Sequence, residues 1–298
     1  MSVVMMKDTA RRLINLAGFD VCRADHGKPR WSGIAEDYYP IHVRPRWGHG
    51  QSPHRPIEKL LTSDLASFSS LLRDCLKYKD RFAAVPYEQA SPTLPHWDNR
   101  WFSSLDGAAL MYFVLSRAPR TYLEVGSGHS TKFVRSAIAA DALSTRMISI
   151  DPHPRLEIDA LCDEVARSPL EDIDLSIFDR VGPGDIVFFD GSHRVFTNSD
   201  TTTFFLDVLP RLKKGVLVHF HDIFWPDDYL PEWDGRLYSE QYLLGALLLG
   251  GSARYRVLLP NYFVSKNAAT APIIGQLGIP VTYPGTAKPG NSFWIEIH

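Results

Sequence analysis

The chain has few cysteines, almost no net charge and no long hydrophobic run. Its three cysteines, Cys22, Cys75 and Cys162, stand far apart without a C-x-x-C pair, so neither a disulfide framework nor a thiolate metal site is indicated. A formal net charge of −2 gives no field that would gather nucleic acid or an anionic membrane. The apolar run at residues 242–249 is too short to cross a bilayer. We therefore expect neither nucleic acid nor a membrane as a partner.

The first residues also lack a signal-peptide pattern, because Lys7 and Asp8 interrupt the apolar residues before a hydrophobic region can form. Together with reduced thiols, this predicts a cytoplasmic protein. The chain of 298 residues is 45% hydrophobic and 22% charged, which is ordinary for a globular protein. Its length favours one doubly wound domain with an extension over two equal domains. We predict an N-terminal helical and loop extension over residues 1–104, which could act as a lid, and the catalytic domain over residues 105–298.

A glycine-rich turn in the sequence TYLEVGSGHST at residues 121–131 is the most informative pattern. A short apolar strand runs into an acid, and then Gly126 and Gly128 allow a tight turn and close backbone approach. The helix that we expect to begin near Ser130 offers free N–H groups at its start. The next apolar run, RMISI, ends at Asp151, where an acid can accept both hydroxyls of a ribose. The pattern predicts a nucleotide-type ligand.

The missing third glycine narrows the choice of ligand. A dinucleotide site has the pattern G-x-G-x-x-G, whereas Thr131 stands in the third place here and Glu124 precedes the first glycine. An acid at that position repels phosphate and suits a cationic amino-acid group. At this point the chain resembles the class I S-adenosylmethionine-dependent methyltransferases. Their first motif is E/D-x-G-x-G after the first strand, and their second strand ends in an acid that holds the ribose.

This resemblance implies an α/β fold with a doubly wound, Rossmann-like sheet of seven strands in the order 3-2-1-4-5-7-6, the last strand being antiparallel. The sequence favours further strands near residues 169–172, 186–190, 216–222, 255–259 and 292–297. Helical spacing occurs within residues 1–30, 57–79, 105–116, 155–167, 200–212 and 239–249. The resemblance also implies that eight residues bind S-adenosyl-L-methionine: Glu124, Gly126, Ser127, Gly128, Ser130, Thr131, Asp151 and Asp190.

More narrowly, the run D-G-S-H after the fourth strand and H-D after the fifth resemble a group of bacterial O-methyltransferases that act on sugars or secondary metabolites. In some relatives the corresponding acids bind magnesium and the histidine of the strand-four motif acts as base. The resemblance implies His193 and Asp190 as catalytic residues, and Asp190 and Asp222 as metal ligands. His221 stands where those relatives have an acid, and it is the third candidate metal ligand. Imidazole binds magnesium poorly and zinc or iron well, so Mg²⁺ and another divalent metal both stay open.

Each of these residues also has a purely structural interpretation. Gly126 and Gly128 could form only a turn. Asp190 and His193 could cap one through their side chains, and Asp222 could cap the segment after the fifth strand. His219 shares a strand face with His221, and we interpret it as a buried structural residue.

Two other functions remain compatible with the sequence. One is a nicotinamide-dependent oxidoreductase, against which the missing third glycine and the antiparallel last strand argue. The other is a binding module without catalysis. For the methyltransferase we expect a small hydroxylated acceptor and consider a homodimer through the N-terminal helical segment. Six aromatic residues belong either to the core or to a lid: Tyr38, Trp47, Trp97, Trp101, Phe102 and Trp225.

Overall fold

A seven-stranded sheet forms the centre of the protein. The computed structural model describes residues 42–251, 253–280 and 290–298, and residues 43–298 form one compact unit. The strands are β1 (Thr121–Val125), β2 (Arg146–Ile150), β3 (Glu164–Ala166), β4 (Ile186–Phe189), β5 (Leu217–Phe220), β6 (Tyr255–Pro260) and β7 (Phe293–Ile297). Their order in the sheet is β3-β2-β1-β4-β5-β7-β6. β7 is antiparallel to both neighbours and the other pairs are parallel, so the predicted fold is confirmed.

The central strands are buried between layers of helices. β1, β4 and β5 are buried at every position, as expected for parallel strands between two helical layers. The helices are α1 (Arg55–Ser63), α2 (Leu65–Cys75), α3 (Lys79–Ala83), α4 (Ser104–Arg117), α5 (His129–Ala140), α6 (Asp200–Thr203), α7 (Glu240–Leu249), α8 (Asn261–Lys266) and α9 (Ala271–Ile274). No helix among the described residues has the length and apolar character needed to cross a membrane.

Several predicted helices are confirmed with adjusted ends. The predicted helix over residues 105–116 is α4, which begins after Ser103 because the Ser103 side chain accepts a hydrogen bond from the backbone N–H of Asp106. The predicted helix over residues 57–79 is divided into α1, α2 and a 3₁₀ turn at Leu76–Tyr78, with a break at Asp64. The predicted division at residue 104 stays a prediction. The predicted helix within residues 1–30, Tyr38 and Cys22 lie outside the described residues.

Two predictions around the third strand are wrong. Residues 155–167 contain only a 3₁₀ turn at Asp159–Leu161 and then β3, whereas residues 170–172 form another 3₁₀ turn. The open edge of β2 explains the difference, because Ile148, Ser149 and Ile150 pair with Glu164, Val165 and Ala166. Pairing with the open edge of β2 gives hydrogen-bond partners to backbone groups that would otherwise lack them. This gain outweighs the weak helical preference of the sequence.

The predicted helix over residues 200–212 is helical as far as Arg211 but irregular. α6 is followed by a π-helical stretch, Phe204–Val208, and a 3₁₀ turn, Leu209–Arg211. Pro210 lies in that turn and has no N–H to donate to a regular α-helix. The irregular segment leads into β5, which carries part of the site.

Candidate active site

A cavity of about 790 Å³ opens at the carboxyl ends of the parallel strands. Gly126 and Ser127 line it after β1, and Asp151 lines it after β2. After β4 and β5 the lining residues include Asp190, His193, His221 and Asp222. An open parallel sheet binds its ligands in this place, outside the carboxyl ends of the strands. Of the predicted site residues, the structure brings seven to this cavity: Gly126, Ser127, Asp151, Asp190, His193, His221 and Asp222. Glu124, Gly128, Ser130 and Thr131 are not among its lining residues.

The glycine turn after β1 is fixed by a close backbone approach. Gly126 has a φ of +80°, and a Cβ atom at this position would lie 1.9 Å from the backbone oxygen of Asp190. Only glycine fits both conditions. The backbone N–H and hydroxyl of Ser127 donate hydrogen bonds to Asp151 Oδ2 at 2.8 and 3.1 Å. Asp151 thus holds the turn and also lines the cavity.

Glu124 supports this turn from the interior. It is only 1% exposed, and its carboxylate accepts hydrogen bonds from Thr131 at 2.6 Å, Tyr122 at 3.2 Å and Ser130 at 3.5 Å. Burial raises the pKa of Glu124 to about 8, although these hydrogen bonds lower it. Glu124, Ser130 and Thr131 are buried and are not among the residues that line the cavity. A direct contact between them and a ligand stays a prediction.

Two carboxylates and two imidazoles meet at the ends of β4 and β5. His193 Nε2 lies 3.2 Å from Asp190 Oδ1 and 3.4 Å from Asp222 Oδ2. His221 Nδ1 lies 3.5 Å from Oδ1 of both Asp190 and Asp222. Asn291, just before β7, donates a hydrogen bond from Nδ2 to Asp222 Oδ1 at 2.6 Å. Both histidines therefore direct one ring nitrogen toward the same pair of carboxylates.

A buried carboxylate, Glu240, fixes the orientation of His193. Glu240 Oε2 lies 2.8 Å from His193 Nδ1, and Glu240 is fully buried at the start of α7. The backbone oxygen of His193 accepts hydrogen bonds from the N–H groups of Ser239 and Glu240 at 2.8 and 3.1 Å. These contacts hold His193 at a φ of +60°, which is uncommon for a residue with a side chain. The sequence carried no signal for Glu240, because its partner lies 47 positions away.

A second buried carboxylate, Asp106, lies behind His221. His221 Nε2 is 3.8 Å from Asp106 Oδ2. Asp106 also accepts hydrogen bonds from Ser103 Oγ and Asn261 Nδ2, both at 2.7 Å, and from the backbone N–H groups of Asn291 and Ser292. Our sequence analysis missed this residue. A signal was present, since Asp106 is the one charged residue in the apolar run at residues 105–116, and an isolated buried charge needs partners.

The charged groups in this cluster shift one another's pKa values. Burial lowers the pKa of His193, but hydrogen bonds to Asp190 and Glu240 outweigh it and raise the pKa well above its usual range. Burial likewise lowers the pKa of His221, while the charges of Asp190 and Asp222 raise it well above the usual range. Burial raises the pKa of Asp190, yet both histidines bring it well below its usual value. Paired charges of this kind can remain buried at neutral pH.

The same cluster fits a divalent cation. One donor atom each from Asp190, His193 and Asp222 lies within 4.8 Å of the others, and this is the group of three such residues found in the described part of the chain. His221 offers a further nitrogen that faces both aspartates. Carboxylate oxygens and imidazole nitrogens are ordinary metal ligands.

Of the predicted lid aromatics in the described part of the chain, Trp101 borders the cavity. It is 57% exposed, and the Arg155 guanidinium lies 4.5 Å from its ring. The others are not among the lining residues: Trp97, Phe102 and Trp225 are buried in the core, and Trp47 packs against Trp225. The sequence analysis missed three lining residues on the other side of the cavity, Trp233, Arg236 and Tyr238.

His219 is a structural residue, as predicted. Its ring is stacked on Phe188 with centroids 3.9 Å apart, and its Nε2 lies 2.7 Å from Ser292 Oγ. Burial and the neighbouring His221 lower its pKa well below the usual range, so the ring is neutral. It does not line the cavity.

Comparisons with known proteins agree with this geometry in one respect. Residues 123–223 match the family model described as methyltransferase domain. This segment contains the glycine turn, Asp151 and the ends of β4 and β5. No curated protein sequence matches the chain.

Among solved structures, the chain is similar to a methyltransferase from Podospora anserina, PaMTH1, bound to SAH (13% identity over 80% of this chain and 96% of that chain, TM-score 0.40). It is also similar to an O-methyltransferase from Bacillus cereus in complex with SAH (16% identity, 81% and 96% covered, TM-score 0.38). A third is MycE from the mycinamycin biosynthetic pathway in complex with Mg, SAH and mycinamycin VI (17% identity, 65% and 50% covered, TM-score 0.38).

The family match includes the glycine turn and the strand-end residues that line the cavity. Around it, the described strands have the order that we expected for the class I enzymes, including the antiparallel β7. Over residues 123–223 the chain is therefore similar to a methyltransferase domain.

Proposed function

We propose that the protein transfers a methyl group from S-adenosyl-L-methionine to a hydroxyl group of a small acceptor, a sugar or a secondary metabolite, with His193 as the general base. The observation that carries this proposal is the fixed imidazole in the cavity. His193 has its Nδ1 bonded to Glu240, so its Nε2 faces the cavity beside Asp190 and Asp222. An imidazole held by a buried carboxylate in this manner is oriented for proton transfer.

The methyl donor would lie along the first half of the cavity. Gly126 permits close approach at the turn after β1, and Asp151 at the end of β2 offers its carboxylate to ribose hydroxyls. Ile150 and Leu170 add apolar surface on this side of the cavity, which suits an adenine ring. Asp190 lies between the donor half of the cavity and the rings of His193 and His221.

The acceptor would lie toward Trp233, Arg236 and Tyr238. The His193 ring is 4.6 Å from the Tyr238 ring, so the proposed base faces this side. The Arg236 guanidinium lies 4.0 Å from the Trp233 ring and 5.5 Å from the Tyr238 ring. Aromatic faces beside polar groups suit a sugar or an aromatic alcohol.

The reaction needs one proton transfer and one displacement. His193 Nε2 accepts the proton of the acceptor hydroxyl, whose oxygen forms a bond to the methyl carbon. The carbon–sulfur bond breaks, and its electron pair passes to sulfur, which becomes a neutral thioether. Holding the oxygen, carbon and sulfur in line can supply roughly 7–11 kcal/mol, and the base adds about 10²- to 10⁴-fold in rate.

Asp190 and Asp222 would hold a divalent cation next to the acceptor. Such an ion, when bound, lowers the pKa of a hydroxyl group and neutralises the carboxylates. The cluster fits this role because its donor atoms already face one another. A cation held there would also offset the carboxylate charges that raise the pKa of His193, so that its Nε2 could accept a proton.

Calorimetry and steady-state kinetics test the proposal. Wild-type protein, His193→Gln and the exposed-site control His42→Gln would be titrated with S-adenosylhomocysteine and with NADH. Turnover would be followed as S-adenosylhomocysteine formation against hexoses, nucleotide sugars and catechols. We expect all three proteins to bind S-adenosylhomocysteine within threefold of one another and none to bind NADH. Only His193→Gln should lose about 10²- to 10⁴-fold in kcat.

Two results would contradict the proposal. If the wild-type protein showed no saturable binding of S-adenosylhomocysteine, the proposed methyltransferase function would be ruled out. An unchanged kcat in His193→Gln would remove the base role while leaving methyl transfer in place. Binding without turnover on any acceptor would favour the binding module.

A further inference from the structure

We infer that His221 is a metal ligand, that Asp106 orients it, and that the site therefore selects a first-row transition metal dication over Mg²⁺. This inference rests on the proposed function, because it concerns the cation that Asp190 and Asp222 would hold. It goes beyond that function by assigning a nitrogen ligand and a class of metal.

The first step is the position of the His221 ring. Its Nδ1 lies 3.5 Å from one oxygen of Asp190 and 3.5 Å from one oxygen of Asp222. The His221 side chain is 3% exposed, and its ring packs against the Phe102 ring, with the two ring centroids 5.1 Å apart. A buried ring between two carboxylates has little freedom to turn away from an ion held there.

The second step is the carboxylate behind the ring. Nε2 of His221 has no hydrogen-bond partner among the described residues, and Asp106 Oδ2 at 3.8 Å is its nearest acidic atom. Histidines that bind metals almost always direct their other ring nitrogen at a carboxylate, a carbonyl or a water. A proton on Nε2 facing Asp106 leaves the Nδ1 lone pair toward Asp190 and Asp222. This is the tautomer that a ligand needs.

Asp106 is itself held in place by several groups. It is fully buried and accepts hydrogen bonds from Ser103 Oγ, Asn261 Nδ2 and the backbone N–H of Ser292, at 2.7, 2.7 and 2.8 Å. These groups come from three separate parts of the chain. A carboxylate fixed in this way can set the angle of the ring that it faces.

The two histidines have different roles because they face different surroundings. His193 lies beside Tyr238 on the acceptor side of the cavity, where a base has to be. His221 lies between Phe102 and His219. Its ring can bind an ion without occupying the place of the acceptor beside Tyr238.

The choice of metal follows from the donor atoms. Mg²⁺ prefers oxygen ligands in a near-ideal octahedron, whereas imidazole suits Zn²⁺, Fe²⁺ and related ions. Asp190, Asp222 and His221 give two oxygens and one nitrogen. A related site with a carboxylate in place of His221 would have only oxygens and would accept Mg²⁺ readily.

Metal binding and spectroscopy test the inference without any activity assay. Protein freed of metal with EDTA would be titrated with CoCl₂ and with MgCl₂ by calorimetry. The Mn²⁺-loaded protein would be studied by pulsed electron paramagnetic resonance for coupling to ¹⁴N. The variants are His221→Ala, His221→Glu, His193→Gln and Asp106→Asn, with the exposed Asp80→Asn as the matched control. Thermal melts would check that each variant folds.

We expect ¹⁴N coupling in the wild type that persists in His193→Gln and disappears in His221→Ala. The ratio of Mg²⁺ to Co²⁺ dissociation constants should fall at least tenfold in His221→Glu. Asp106→Asn should weaken Co²⁺ binding about 10- to 100-fold, and Asp80→Asn should not change it.

Three outcomes would overturn the inference: no divalent binding, no ¹⁴N coupling in the wild type, or coupling that is lost in His193→Gln and kept in His221→Ala. If one of these two variants fails to fold, the other still assigns the coupling, because retention in His193→Gln or loss in His221→Ala each points to His221. S-adenosylhomocysteine binding in EDTA, measured in parallel, separates the two proposals. If that ligand binds while nitrogen coupling is absent, only the metal inference fails. If that ligand does not bind, the methyltransferase function fails.

Discussion

The backbone at Gly126 leaves no room for a side chain. A Cβ atom there would lie 1.9 Å from the Asp190 backbone oxygen, and the φ of +80° adds strain. We predict that Gly126→Ala lowers the free energy of unfolding by about 2–4 kcal/mol and weakens S-adenosylhomocysteine binding at least tenfold. Gly182→Ala is the matched control, because its nearest contacts are 3.6 and 3.8 Å away. Urea unfolding and calorimetry would measure both, and equal stability of the two variants would contradict the prediction.

Burial of Glu124 makes stability depend on pH. Its pKa is raised from 4.5 to about 8 in the folded protein, so the folded state binds the extra proton between these values. The stability contributed by this group is fully present below about pH 4.5 and is lost as the pH rises through about 8. The wild type should lose this contribution as the pH rises, whereas Glu124→Gln has no group to titrate at this position. We therefore predict that the free energy of unfolding of Glu124→Gln minus that of the wild type rises by roughly 3–5 kcal/mol between pH 5 and pH 9. Urea unfolding at several pH values measures this, and parallel curves would contradict it.

At the residue scale, the sequence predicted those side chains that stand directly at strand ends. Asp151, Asp190, His193 and Asp222 lie where parallel strands finish, and that geometry follows from the fold alone. Glu240 and Asp106 could not be placed in the same way. They reach the site from α7 and α4, and only the packing of those helices brings them to the histidines.

At the scale of elements, the start of α7 positions the proposed base. Glu240 is the first residue of this helix, and the N–H groups of Ser239 and Glu240 bond to the His193 backbone oxygen. We predict that Glu240→Gln lowers kcat at least tenfold while the KM for the acceptor changes less than threefold, because the amide permits the wrong tautomer of His193. Glu240→Asp should restore part of kcat. A loss of S-adenosylhomocysteine binding equal to the loss of kcat would indicate a merely structural role.

The third strand shows why elements of three residues escape sequence analysis. Glu164, Val165 and Ala166 carry no alternating or continuous apolar pattern, so their strand depends on pairing with β2. By contrast, β4 and β5 are apolar runs covered on both faces, and their positions were predicted correctly. A local sequence pattern therefore predicts a strand that is buried on both faces, but it does not predict a short strand at the edge of a sheet.

At the scale of the whole molecule, ligand binding should raise thermal stability. A ligand that binds only the folded state at 100 times its dissociation constant adds about 2.7 kcal/mol. For a unit of this size we predict that S-adenosylhomocysteine raises the Tm by roughly 4–8 °C at that concentration. NADH at the same concentration should leave it unchanged. Differential scanning calorimetry measures both, and an equal shift with NADH would contradict the methyl-donor assignment.

The topology of the whole sheet was predicted from the family resemblance that the glycine turn and the strand-end motifs carry. The acceptor side was not, since Trp233, Arg236 and Tyr238 lie in a 3₁₀ segment and the loop that follows it. Residues in such segments have no periodic pattern that marks them. Their place in the cavity depends on the path of the connection between β5 and α7.

The contacts of Asn291 and Ser292 have a consequence for how the protein matures. These residues hold Asp222 and Asp106 from the approach to β7, although the glycine turn and Asp151 are complete by the end of β2. The donor side also needs Asp190, whose backbone lies against Gly126, and about a hundred further residues separate Asp190 from Asn291. During synthesis, Asp222 and Asp106 can therefore gain these contacts only once the approach to β7 has been made.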